Sequence, residues 1–251
     1  MAKKFYVVWK GRETGIFTTW AKCKSLVDGF AGAKFKSFPT LGEAESAFGK
    51  KSTAPKAKIV KKSRKLKSVP LSQEQIDAMP FDVKIYTDGA CEPNPGEAGT
   101  GLAVYENNKL TELWYGLYQS FGTNNTAELH GLNQALLLAK EKLTKGRSVG
   151  IFCDSKYSID CVTKWAYGWE KKGWTKSGGE IKNLDIIKPA YSLYQDISSQ
   201  ITIHHVNGHV GIEGNELADR MSIIAIESKD KNLSLYKEIH NIPKLLAMRT
   251  G

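Results

Sequence analysis

Four carboxylates stand at positions where an acid seldom sits idle: Asp88, Glu128, Asp154 and Asp219. Asp88 lies in a strand pattern in which Val83, Ile85 and Thr87 alternate with Lys84 and Tyr86. Glu128 stands near the start of a long helical period, Asp154 ends the apolar run Ser148–Cys153, and Asp219 lies in the last long helix. Taken singly, each could be a solvated or salt-bridged acid, since a carboxylate in apolar company needs a partner. Were the four to converge, they could not all ionise side by side unless cations sat between them. Oxygen ligands without a Cys or His cluster favour Mg²⁺ or Mn²⁺ over zinc. Two such ions about 4 Å apart stabilise the attacking and leaving oxygens of an in-line phosphoryl displacement.

The elements that must position these acids follow from the local patterns. Residues 83–88 read as a half-buried strand; Glu92–Gly101, with two Pro and three Gly, reads as a turn-rich break before a partner strand at Leu102–Tyr105. A third strand is expected at Leu110–Tyr118. A helix follows at Asn124–Leu143, where Leu129, Leu132, Leu136, Ala139 and Leu143 form one apolar stripe with Glu128 beside it. Ser155 can cap the helix after the Asp154 strand. The strand Ile201–Val206 leads into a loop holding Gly208, His209, Gly211 and Gly214, and the helix Glu213–Glu227 closes the block.

Residues 4–48 look like a separate module: a hairpin (Phe5–Trp9 and Ile16–Trp20), a helix over Trp20–Phe30, a strand at Ala33–Phe38 and a second helix capped by Thr40, with Glu43 three residues on. Its aromatic residues could simply fill a small core. Tyr6, Trp20 and Phe35 are framed by Lys and Arg, which also suits stacking on a base or sugar with phosphate neutralisation.

The net charge of +10 is unevenly placed. Residues 1–49 carry 8 basic and 4 acidic side chains, residues 50–67 carry 9 basic and none acidic, and residues 68–251 carry 19 basic and 22 acidic. The basic front suggests a polyanion partner, and the acidic remainder suits a collector of divalent cations. From Gly49 to Pro80 the composition reads as a self-repelling linker, either a plain tether or a loose holder of phosphates. Cys23, Cys91, Cys153 and Cys161 have no zinc spacing and read as reduced thiols, which with the short apolar N-terminal run points to a cytoplasmic, membrane-free protein.

Two sets of residues carry a family resemblance. Phe5-Tyr6, Gly11-Arg12, Thr14–Phe17, Trp20 and Ala33–Phe38 resemble the hybrid-binding domain at the N-terminus of many type 1 ribonucleases H. Tyr86-Thr-Asp88-Gly-Ala, Thr123-Asn-Asn-Thr-Ala-Glu128, Phe152-Cys-Asp154-Ser and Val206-Asn-Gly-His209 through Asn215-Glu-Leu-Ala-Asp219 resemble that family's catalytic segments, in the family's order.

The resemblance implies an α/β protein: a ribonuclease H-like five-stranded mixed sheet with flanking helices, preceded by a small α/β hybrid-binding domain and a basic linker. The divisions expected are 1–49, 50–80, 81–228 and a C-terminal extension at 229–251. It further implies a monomeric endonuclease that cuts the RNA strand of an RNA/DNA hybrid by two-metal-ion catalysis, leaving 3′-hydroxyl and 5′-phosphate ends. Double-stranded RNA is a second duplex the front domain could hold. Asp88, Glu128, Asp154 and Asp219 would bind two Mg²⁺ (Mn²⁺ as a substitute), with His209 as an auxiliary acid/base. Tyr6, Trp20, Phe35 and Lys36 fall on hybrid-contacting positions, whereas Ser37 stands where the family often has a second Lys. Asn94, Asn124 and Asn125 match groove contacts, Thr123 and Asn183 a DNA-phosphate site, and Lys171, Lys172 and Trp174 a basic protrusion, with Trp165 expected to be buried. Leu233, Leu235, Tyr236, Ile239 and Ile242 could pack on the sheet or on a partner.

Overall fold

The computed structural model describes residues 4–48 and 71–251. The linker expected at 50–80 therefore falls largely outside the described residues. The chain divides into two units, Met1–Arg64 and Lys65–Gly251.

In the first unit, β1 (Phe5–Lys10), β2 (Gly15–Phe17) and β3 (Lys34–Phe38) form an antiparallel sheet in the order β2-β1-β3, with α1 (Trp20–Val27) and α2 (Leu41–Phe48). Val7, Val8, Cys23, Leu26, Val27 and Ala44 are buried. Thr19 caps α1 by accepting from the Lys22 amide at 3.4 Å, and the Glu43 amide donates to Thr40 Oγ1 at 3.3 Å. The helix expected to reach Phe30 stops at Val27, because Asp28 is extended and Gly29 takes φ +67°. The burial of Cys23, Leu26 and Val27 does not extend the helix through a left-handed residue.

The second unit opens with α3 (Gln73–Asp77), started by a reciprocal Ser72/Gln75 capping box at its N-terminus. Then follow β4 (Val83–Glu92), β5 (Gly96–Glu106), β6 (Lys109–Gly122), α4 (Asn124–Thr144), β7 (Val149–Cys153) and α5 (Lys156–Asp160). A π-helical stretch, Cys161–Trp165, leads to α6 (Ala166–Glu170). The chain continues through α7 (Leu184–Ile197), β8 (Ile201–His205), α8 (Glu213–Ser228), β9 (Leu233–Leu235) and α9 (Ile242–Leu246).

The sheet order is β8-β7-β4-β5-β6-β9, with β7 and β8 parallel to β4 and the other pairings antiparallel. The five expected strands are present, and the C-terminal residues supply a sixth. Alternation in β4 sends Val83 and Ile85 into a cluster with Leu129, Leu132 and Leu136 of α4, and Tyr86 into another with Leu217, Ala218 and Met221 of α8. Both faces are covered, so β4 is a central strand and not the half-buried one its sequence suggested. Lys84 is 2 % exposed; its ammonium donates to the Asp77 carbonyl at 3.0 Å and to Asn108 Oδ1 at 2.6 Å. Each fully buried leucine of α4 contributes about 1.5–3 kcal/mol. On the other face α8 lies so close that a Cβ at Gly101 would stand 2.1 Å from the Ala218 carbonyl oxygen.

Candidate active site

Four elements, β4, α4, β7 and α8, bring acids together at the C-terminal end of β7 and the middle of β4. Asp88 is paired with Gly101 on one side of the strand and accepts from the Gly89 amide at 2.7 Å. Glu128 comes from the first turns of α4, whose start Thr123 fixes by accepting from the Thr126 amide at 3.2 Å. Asp154 follows Cys153, which the parallel register sets beside Thr87. Asp219 is carried by α8 and is 4 % exposed. All four acids, with His209, line one cleft of about 510 Å³.

Crowding decides the electrostatics. Burial pushes the Asp88 carboxyl well above the usual carboxylate range, and the charges of Asp154 and Asp219 push it further. Glu128 is raised by burial and then by Asp88 and Asp154, and Asp154 is raised chiefly by burial. Such a cluster either holds protons or holds cations. Glu128 Oε2 and Asp154 Oδ1 are buried without a hydrogen-bond partner, so two carboxylate oxygens are available where a hard cation would need them. The donor set fits one. Cys153 Sγ lies within 4.8 Å of the Glu128 and Asp154 oxygens, but burial and the adjacent acids keep its thiol protonated.

The family model described as RNase H matches residues 80–227, and the one described as Ribonuclease H1 N-terminal domain matches residues 4–48. Ribonuclease H1 of Rattus norvegicus is 32% identical over 256 residues, covering 87% of each chain. The chain belongs to the ribonuclease H family. Ribonuclease H1 of Homo sapiens is 31% identical with the same coverage of both chains. Ribonuclease H of Acidovorax sp. (strain JS42) is 37% identical over 146 residues, covering 58% of this chain and 95% of its own. The fold of the second unit is also that of LC9-RNase H1, a type 1 RNase H with the type 2 active-site motif, at TM-score 0.53 and 22% identity, over 68% of this chain and 83% of that one.

Most of the remaining expected residues of this ribonuclease H gather beside the cleft or on the first unit. Asn94 Oδ1 accepts from the Asn124 amide at 3.3 Å, tying the β4–β5 turn to α4. Asn94, Thr123, Asn125 and Asn183 share a second hollow of about 420 Å³, where Asn183 Oδ1 accepts from Thr126 Oγ1 at 3.2 Å. His209 is exposed at the rim, with φ +53°. In the first unit Tyr6, Trp20 and Phe35 form a row with ring centroids 5.6 and 5.8 Å apart; Trp20 and Phe35 are more than two-fifths exposed. Lys36 lies over the Phe38 ring.

The basic protrusion departs from expectation. Lys171 and Lys172 are exposed, but Trp174 is folded back against Tyr191 of α7, with Lys188 over its ring. Trp174 takes φ +61° and its amide donates to the Trp169 carbonyl at 2.6 Å, which turns the indole inward. Trp165, expected to be buried, is 42 % exposed. It ends the π-helical stretch, whose wider turn shifts the face that each following residue presents.

Three contributors carry no assigned role in the sequence, although Asn215 stands within one of the catalytic segments. Asn215 Nδ2 donates to Asp154 Oδ2 at 3.2 Å, and its place one helical turn before Asp219 was the available signal. His205 Nε2 lies 3.0 Å from the Asp154 carbonyl oxygen. Residues 249–251 also line the carboxylate cleft, and no local pattern announced them.

Proposed function

We propose that this ribonuclease H hydrolyses the RNA strand of an RNA/DNA hybrid, leaving 3′-hydroxyl and 5′-phosphate ends. The observation that carries the reading is the four-carboxylate cluster in one cleft, in which Glu128 Oε2 and Asp154 Oδ1 are buried without a partner. Asp88, Glu128, Asp154 and Asp219 would hold two Mg²⁺, or Mn²⁺ in their place. When bound, the pair would offset the negative charge on the attacking and leaving oxygens of an in-line displacement.

The chain's own residues do the rest. Asn215 and His205 hold Asp154 from its side chain and its main chain. His209, on its glycine-flanked loop, accepts and returns a proton as an auxiliary acid/base. Asn94, Asn124 and Asn125 face the duplex, where 2′-hydroxyls in a shallow minor groove distinguish the RNA strand. Thr123 and Asn183 take a phosphate of the DNA strand. The Tyr6–Trp20–Phe35 row holds the hybrid by stacking, sequence-tolerantly.

End-labelled RNA offered in parallel as a hybrid, as double-stranded RNA and as a single strand, with Mg²⁺, tests the reading. Cleavage confined to the hybrid, giving fragments a polymerase can extend, is expected. Binding of the hybrid without cleavage would make the chain a binder only.

A further inference from the structure

The RNase H family match ends at residue 227, and the chemistry above uses nothing beyond it. The residues that follow are nevertheless built into the second unit. Leu235 and Leu233 of β9 pair with Trp114 and Gly116 of β6. Asn241 caps α9 by accepting from the Lys244 amide at 3.0 Å, and Leu245 is buried in the cluster that holds Leu217 and Met221 of α8. Arg220, next to Asp219, donates through Nη2 to the Leu246 carbonyl at 3.2 Å. The helix that carries a cleft acid therefore also fastens α9.

This anchoring delivers Arg249, Thr250 and Gly251 to the cleft wall. The Gly251 amide donates to Asp219 Oδ1 at 3.0 Å, while Arg220 Nη1 donates to Oδ2. The fit is close: a Cβ at Gly251 would lie 2.8 Å from that Oδ1 and 3.4 Å from Ala90 Cβ and Ile223 Cδ1. Each carboxylate oxygen carries two lone pairs, so one hydrogen bond on each leaves room for a cation. Donors of this kind fix the orientation of a ligating carboxylate.

Arg249 pairs with Glu92 at the end of β4, and both side chains are more than half exposed. Such a pair is weak. Among the described residues, Arg249 is the one Arg or Lys lining the cleft. A guanidinium is suited to a phosphodiester by its two parallel donors.

We infer that residues 249–251 are a working part of the active site: the Gly251 amide positions Asp219, and Arg249 exchanges Glu92 for a phosphate of the strand being cut. This rests on the hybrid-cleaving reading.

The test compares wild type, Arg249→Ala, Arg249→Lys and a chain lacking 249–251, in steady-state hybrid cleavage at saturating Mg²⁺ and in calorimetric Mg²⁺ titration without substrate. Arg249→Ala should raise KM about tenfold with kcat within about threefold, and Lys should recover part of the loss. The shortened chain should show the same KM rise and, in addition, bind Mg²⁺ about tenfold more weakly. KM and Mg²⁺ affinity within twofold of wild type in these variants would overturn the inference. So would a shortened chain that cleaves faster, which would make the segment a plug. Should the shortened chain unfold, Arg249→Ala decides, since it alters one exposed side chain. A wild type that leaves hybrids uncut would sink the nuclease reading itself, whereas a cutting wild type matched by its variants would sink only this inference.

Discussion

Gly89 and Glu128 meet through their backbones: a Cβ on Gly89 would stand 2.4 Å from the Glu128 nitrogen and 2.5 Å from the Ala127 carbonyl carbon. The strand that carries Asp88 and the helix that carries Glu128 are in contact one residue from Asp88 and at Glu128 itself. Gly89→Ala should therefore force β4 and α4 apart, costing about 1–3 kcal/mol of stability and lowering cleavage about 10²-fold, the scale of an ångström's misplacement. Gly42→Ala, whose Cβ meets nothing within 4 Å, should leave both unchanged. Thermal melts with hybrid cleavage on each variant check this.

The raised carboxyls set a pH dependence of metal-free stability. In the unfolded chain these acids ionise at about pH 4; in the folded chain Asp88 and Glu128 hold their protons to higher pH. Between those limits the native state binds more protons, so their contribution to stability is full below about pH 4 and is lost as pH rises through the folded values. Asp88→Asn should then melt higher than wild type in EDTA at pH 7.5, by about 3 °C for each kcal/mol of relief, and the gap should shrink toward pH 4. Equal melting of the two at pH 7.5 would mean that the acids are not crowded.

Trp20 lies between Tyr6 and Phe35, its ring tilted 43° to each, and is 46 % exposed. Trp20→Ala should weaken hybrid binding about tenfold, in keeping with about 1–3 kcal/mol for a stacked base, while shifting the melting temperature little. Fluorescence anisotropy at fixed salt measures it. An unchanged affinity accompanied by a large melting shift would make Trp20 a core residue.

Asn215→Ala removes the amide that holds Asp154 Oδ2 and should raise the Mg²⁺ concentration for half-maximal cleavage about tenfold. Asn215→Asp should be worse, because it adds a fifth carboxylate to a crowded group. A Mg²⁺ titration of cleavage that is the same for all three proteins would remove Asn215 from the site.

The four acids were legible because each sits in a short local pattern that survives without any knowledge of the fold. The burial of both faces of β4 was not. Lys84 reads as a wet-face residue until the Asp77 carbonyl and Asn108 side chain arrive to satisfy its ammonium. Trp165 is exposed and Trp174 half-buried because a π-turn and a left-handed residue change their facing, and period counting assumes neither. Arg249–Gly251 reach the cleft only through the docking of α9 on α8, a relation between segments that no local pattern encodes.

Asp88→Asn, measured for hybrid cleavage and hybrid binding in the same Mg²⁺ buffer, bears most directly on the carboxylate cluster as the seat of the reaction. Binding within about twofold of wild type with cleavage reduced by at least about 10³-fold is the expected result, the scale of removing a group that acts at the reacting centre. Sustained Mg²⁺-dependent cleavage by Asp88→Asn would contradict the account.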